Sequence, residues 1–161
     1  MNPRAARLIT ALDLSPHPEG GVFREIHRST ARVEPLDGRG ERAGLTTIYF
    51  LLVSGEASRW HRVASDEAWH FLEGDALELH QADARLESMT TRILGPWGPE
   101  AEPARVVPAG SWQVARTTGD YTLVGCTVGP GFDFRDFVLL RDLPVEAEGL
   151  RRRRGAMASY L

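Results

Sequence analysis

The sequence predicts an all-β fold, a sandwich or barrel in one domain, led by a single short helix. Three observations predict it. Roughly ten short runs of alternating or β-branched residues lie between Val22 and Leu140. Turn residues punctuate them closely, as at Gly74-Asp75, Gly119-Asp120 and Gly129-Pro130-Gly131, a rhythm that fits a sandwich or barrel and not βαβ units. At 161 residues the chain can bury one core without disulfides or a structural metal.

Asn2-Pro3 supplies an N-cap followed by proline at the first helical position. Leu8, Ile9 and Leu12 form a narrow apolar stripe, and Ser15-Pro16 stops the helix because the residue before proline leaves the α region. Residues 17–21, His-Pro-Glu-Gly-Gly, read as a turn, with His17 and His27 at the surface. Strand-like segments follow at 22–28, 45–53, 56–62, 67–72, 76–81 and 89–94, with a charged, Gly-rich loop at 34–44. His80 alternates with Leu77 and Leu79 and so falls on a solvent face. Residues 95–103 hold three prolines and two glycines and are irregular. Strand-like segments return at 104–107, 111–116, 121–128 and 136–140, and Phe132, Phe134 and Phe137 read as an edge strand or dimer seam. The barrel and its helix occupy residues 1–142. Residues 143–161, with arginines at 151–154, form a polar tail in solvent.

Acidic residues outnumber basic ones, 22 to 19, which leaves no basic footprint for nucleic acid. The longest strongly apolar run, Ile48 to Val53, is too short to cross a bilayer, and no export-type cleavage pattern follows the first residues. The single cysteine, Cys126, forms no internal disulfide and suits a reducing cytoplasm. Nucleic-acid and membrane partners are therefore not expected. A small-molecule ligand is.

The chemistry concentrates between Gly55 and Gly74, which hold two of the five histidines, two of the four tryptophans and the Asp66-Glu67 pair. On strands, residues two apart share a face. His61 then lies with Arg59 and Val63, and Glu67 with Trp69 and Phe71, while His70 points the other way. An imidazole with a carboxylate neighbour is a general base that burial tunes. Arg59 could steady an anionic oxygen, and Tyr49, on the preceding strand, could act as the acid. Cys126 sits in an apolar run with no charged neighbour to lower its pKa and reads as a small buried hydrophobe.

The spacing of Gly55, His61, Val63, Glu67 and Gly74 resembles the first motif of cupins, and Pro108-Ala109-Gly110 with Gln113 resembles the core of the second. More specifically, HPEGGVFREIHRS (17–29), TTIYFLL (46–52), SRWHRVASDEAWHF (58–71) and PGFDFRDF (130–137) resemble the small branch catalogued as the fifth cupin family, over about residues 12–140. The resemblance implies a cupin double-stranded β-helix barrel, or jelly roll, usually dimeric, with a ligand pocket in its mouth. It also implies kinship with metal cupins and with dTDP-4-dehydrorhamnose 3,5-epimerase, which uses a histidine base and a tyrosine acid. His61 matches the base by motif position; no tyrosine matches the acid.

The metal set implied by the resemblance falls here on His61, Val63, Glu67 and Gln113. Valine cannot ligate, and Gln113 offers only a neutral amide oxygen, a poor donor for the metals that imidazole prefers. The expectation is no cofactor, or a divalent metal held weakly by His61, Glu67 and Gln113. The functional expectation is a cytoplasmic homodimer binding a small polar metabolite, sugar-like or carboxylate-bearing. His61 and Glu67 would be the catalytic pair of an epimerase or isomerase, with Arg59, Tyr49, Trp69, Phe71 and Gln113 around the ligand. Two readings stand beside it: a non-catalytic ligand-binding cupin, and a metal-dependent oxygenase or isomerase with the reduced ligand set.

Overall fold

The computed structural model describes residues 1–161. Helix α1 (Pro3–Ala11) starts where the sequence places it, with the Asn2 side chain accepting from the Arg4 amide at 2.8 Å. In chain order the strands are β1 (Ser15–Pro16), β2 (Val22–Arg28), the β3–β4 ribbon (Arg32–Val33 and Arg42–Ala43), β5 (Thr46–Val53), β6 (His61–Val63) and β7 (Asp66–Gly74). There follow β8 (Leu77–Ala82), β9 (Met89–Leu94), β10 (Ala101–Glu102), β11 (Ala104–Val107), β12 (Trp112–Thr117), β13 (Tyr121–Gly129) and β14 (Phe137–Leu139). They form two six-stranded sheets, β1-β2-β5-β13-β7-β11 and β10-β9-β8-β12-β6-β14. This is the double-stranded β-helix that the sequence led us to expect.

The register shows how the barrel is filled. Ile48 lies opposite Cys126 and Phe50 opposite Val124 between β5 and β13, while Trp69 lies opposite Cys126 between β7 and β13. These inward residues meet Leu77, Leu79, Leu94 and Ala115 of the second sheet in one apolar cluster. That cluster closes one end of the barrel and leaves the starts of β5 and β7 for a cavity. On the opposite face of the first sheet, Leu51, Tyr121 and Leu123 pack against Ala5 and Leu8, which is why α1 needs its apolar stripe.

Strand ends agree with the sequence reading to within a residue or two except in the segment 95–103 expected to be irregular, where Ala101–Glu102 pairs with β9, and at 56–62, where only His61–Val63 is strand. Hydrogen-bond partners change at each residue there. The Ser58 amide bonds Ala115, that of Arg59 bonds Glu19, and that of Trp60 bonds Tyr160, so no continuous ladder forms.

The segment expected to lie in solvent as a polar tail is docked. Helix α2 (Pro144–Arg153) buries Leu150 against Trp60, Trp112 and Leu140. The Trp60 indole donates to the Met157 carbonyl at 3.0 Å. A few apolar residues among the arginines suffice, and Arg152 stays outside, bonded to Glu148 at 2.9 Å. His80, expected on a solvent face, is buried for the same reason: it stacks on Tyr160 with its Nδ1 2.8 Å from Thr91 Oγ1.

Candidate active site

The turn at 17–21 builds the site. Gly20 and Gly21 have φ of +104° and +67°, and a Cβ on either would lie 2.7 Å from the Ala57 carbonyl or 2.8 Å from the Leu52 side chain. Only glycine lets the turn lie so close to β5 and to residue 57. The His17 amide donates to the Gly21 carbonyl at 3.0 Å, and the Arg59 amide donates to the Glu19 carbonyl at 2.5 Å. Held this way, His17 and Glu19 point into the barrel. This corrects the surface position expected for His17, whose side chain is 6 % exposed; His27 is at the surface as expected.

The result is a cavity of about 310 Å³. His17, Glu19, His61, Glu67 and Cys126 form its polar floor, and Phe23, Phe50, Phe132, Phe134, Phe137 and Ile48 its walls. The phenylalanines expected as an edge or dimer seam thus face the ligand space. Their segment is pinned by Arg42, which donates to both Asp136 oxygens at 2.8 and 2.7 Å, and by the Phe132 amide, which donates to Thr46 Oγ1 at 2.9 Å. The charged, Gly-rich loop thereby contributes Arg42 as a clamp on the mouth.

Hydrogen bonds fix the protonation of the floor. His61 Nδ1 lies 2.7 Å from the Arg59 carbonyl, to which it donates, so Nε2 presents a lone pair to Glu19 Oε2 at 3.1 Å. Burial holds His61 down to about 4, and burial together with the nearby Glu67 charge holds Glu19 well above the carboxylate range. Both shifts favour the neutral forms of the imidazole and the carboxyl in this contact. His17 is also held to about 4 by burial, and its Nδ1 accepts from the Glu19 amide at 3.2 Å. Burial pushes Glu67 up to about 7, against the opposing hydrogen bonds from Gln113 and Cys126. Gln113 Nε2 donates to Glu67 Oε2 at 2.5 Å, and Gln113 Oε1 accepts from the Trp69 indole at 3.0 Å, which sets the amide's orientation. A group balanced near neutrality can take and return a proton with small driving force.

Of the residues singled out in the sequence, His61 and Glu67 line the cavity, as does Val63. The others stand elsewhere. Gln113 and Trp69 are buried behind Glu67, and Phe71 packs on the apolar cluster. Tyr49 lies on the outer face of β5 with the α1 cluster, so it cannot be the acid. Arg59 contributes its backbone to the site, and its side chain is outside the lining. Cys126 does have an acidic neighbour; burial and Glu67 push its thiol up, away from nucleophilic use. Sequence reasoning misses His17, Glu19 and the phenylalanine wall as site residues, although the double glycine after Glu19 is a signal for the first two.

The cupin metal does not fit these residues. Val63 fills the second ligand position, and the only amide oxygen of Gln113 is spent on the Trp69 indole. His61 turns its Nε2 to Glu19, outside the expected set. No group of three or more His, Cys, Asp or Glu side chains is arranged to hold an ion. No helix is long and apolar enough to cross a membrane.

A family model described as Cupin superfamily (DUF985) matches residues 6–140. A protein from Shewanella oneidensis is 33% identical with a TM-score of 0.81, over 96% of this chain and 92% of that one. A hypothetical protein from Leishmania major is 30% identical with a TM-score of 0.84, over 96% of each chain. Oxalate decarboxylase from Bacillus subtilis shares the fold alone, at 15% identity and a TM-score of 0.59, over 89% of this chain and 35% of that one. No curated protein matches the chain by sequence.

Proposed function

The chain belongs to the cupin superfamily through its DUF985 family, and from that premise we propose that the barrel mouth is the active site of a small-molecule epimerase or isomerase. The observation that carries this reading is the meeting of Glu67 with the Glu19–His61 pair in one cavity whose other walls are largely apolar. Ionised Glu67 takes a proton from the carbon beside a substrate carbonyl. The C–H electron pair moves onto the carbonyl oxygen, and the Glu19 hydroxyl turns from His61 Nε2 to steady the enolate. Glu67 then returns a solvent-exchanged proton to that carbon, which completes the exchange and restores the carboxylate. The base is thus Glu67 and not His61, because the imidazole is too weakly basic and its free nitrogen already faces Glu19. Aromatic walls over a polar floor suit a ring-sized, sugar-like molecule.

The test is deuterium wash-in from D₂O at the carbon next to the carbonyl, followed by proton NMR over a panel of aldoses, ketoses and hydroxyketones. Wash-in should slow by about 10² or more in Glu67→Gln and stay unchanged in His27→Gln. Equal rates in Glu67→Gln, or no wash-in across the panel, overturn the reading. One observation favours a non-catalytic binding barrel: Gln113 from behind and Cys126 beside it on the floor satisfy Glu67, as they would any polar core group. Ligand-induced stabilisation without wash-in identifies that case. We also propose a homodimer through the outer face of the first sheet, where Leu72 and Val106 are 47% and 60% exposed on the paired strands β7 and β11.

A further inference from the structure

We infer that the molecule taken by this cavity carries an amine or another cationic group. The inference rests on the reading of the barrel mouth as a ligand site and goes on to name the ligand's charge.

An anionic ligand finds no uncompensated cation. Arg28 is the one arginine or lysine in the lining, its charge is matched by Glu25, and three of its five N–H donors are in use. Its Nε and Nη2 donate to Glu25 at 2.9 and 2.7 Å, and its Nη1 donates to the Phe132 carbonyl at 3.0 Å. The two histidines of the floor are neutral, for the reasons given above. Four carboxyl groups face this single cation. Glu25 is compensated by Arg28, and Asp133 by Arg135 at 2.8 Å. Glu19 and Glu67 have no cation at all, and Glu19 Oε1 has no hydrogen-bond partner within the chain.

The walls add a second, independent preference. Phe132, Phe134 and Phe137 pack edge to face with centroids 5.0 to 6.1 Å apart, and Phe23 meets the edge of His17 at 4.5 Å. Aromatic faces carry negative potential and attract ammonium groups, most strongly when water is excluded. An aromatic box above two carboxyls that have no cation is the environment in which a cation gains and an anion loses. A cation also resolves the site's own tension, since its arrival lets one buried carboxyl ionise as half of a pair. The groups around Glu67 are Gln113 from β12, Cys126 from β13, and Glu19 and His61 on the same floor. Only Glu19 competes with it for that charge. Within the proton-transfer reading, a cationic substrate holds Glu67 in its ionised, basic form.

The experiment is titration calorimetry with three matched probes: cyclohexylammonium, cyclohexanol and cyclohexanecarboxylate. The ammonium should bind about tenfold more tightly than the alcohol, and the carboxylate more weakly than both. Near neutral pH the ammonium heat should vary with the ionisation enthalpy of the buffer, showing proton release. Glu67→Gln should abolish most of the ammonium's preference over the alcohol. Phe134→Leu, at an exposed position, should weaken the ammonium about threefold more than the alcohol. Alcohol binding equal to or tighter than ammonium, preferred carboxylate binding, or no ammonium binding overturns the inference. Deuterium wash-in to a neutral carbonyl compound alongside such a result removes the ligand class and leaves the proton-transfer reading intact.

Discussion

A Glu67→Gln exchange removes one titrating group and almost no volume, so it isolates what the buried carboxyl does to the fold. Burial moves Glu67 from 4.5 up to about 7. Between those values the folded chain keeps a proton that the unfolded chain releases. The group's contribution is therefore fully present below about pH 4.5 and is lost as pH rises through about 7. That interval, at about 1.36 kcal/mol per pH unit, is worth about 3 kcal/mol. An amide at position 67 still accepts from Gln113, so the variant should keep its packing while losing this pH dependence. His17 and His61, both held to about 4, contribute in the opposite sense: their stabilisation is full above about pH 6.5 and is lost as pH falls towards 4. Both proteins carry them, so they cancel in the difference. Urea unfolding of the two proteins at intervals between about pH 4 and about pH 8, with matching m-values, measures that difference. The variant should gain about 3 kcal/mol on wild type across the range. A difference that stays constant would show that Glu67 ionises like a solvated carboxylate, and the assignment of the base would lose its physical ground.

Leu150→Ala should cost about 3 kcal/mol in urea unfolding, because its side chain is fully buried under the α2 strap; a cost below about 1 kcal/mol would mean the strap is not docked in solution. Trp69→Phe deprives Gln113 Oε1 of its donor and frees the amide to turn, so the pH–rate profile of wash-in should shift upwards as Glu67 loses a fixed hydrogen bond. An unchanged profile would remove Gln113 as the group that positions Glu67. Leu72→Glu should convert a dimer to a monomer in sedimentation, with wash-in retained; a monomeric wild type would refute the proposed face.

The strands were legible because their information is local. Alternation and turn residues gave β2, β9 and β11 to the residue, and the glycine-bounded stretch located His61 and Glu67. What escaped depends on distant segments. Tyr49 and Trp69 are both aromatic residues on alternating strands, and nothing in their own neighbourhood says that one packs under α1 and the other against Gln113. Glu19 looked like a turn residue because its role depends on the backbone at Ala57 and Arg59, some forty positions away. Residues 143–161 looked solvated because the arginines dominate their composition, while the few apolar contacts that dock them are decided by the surface of the second sheet.

The pairing pattern has a kinetic consequence. Thr46 pairs with Val128, His61 with Gln113, and Trp60 bonds Tyr160, whereas β8 and β9 close a short local hairpin. Chain entropy must be lost before such distant contacts can form, which places folding roughly in the millisecond-to-second range. Glu19, His61, Glu67 and Cys126 come from four separate stretches of chain and meet only when both sheets have closed. A partly folded chain has no cavity to offer, so ligand stabilises the finished barrel alone. The fraction of molecules that bind is then a direct count of those that have completed the topology.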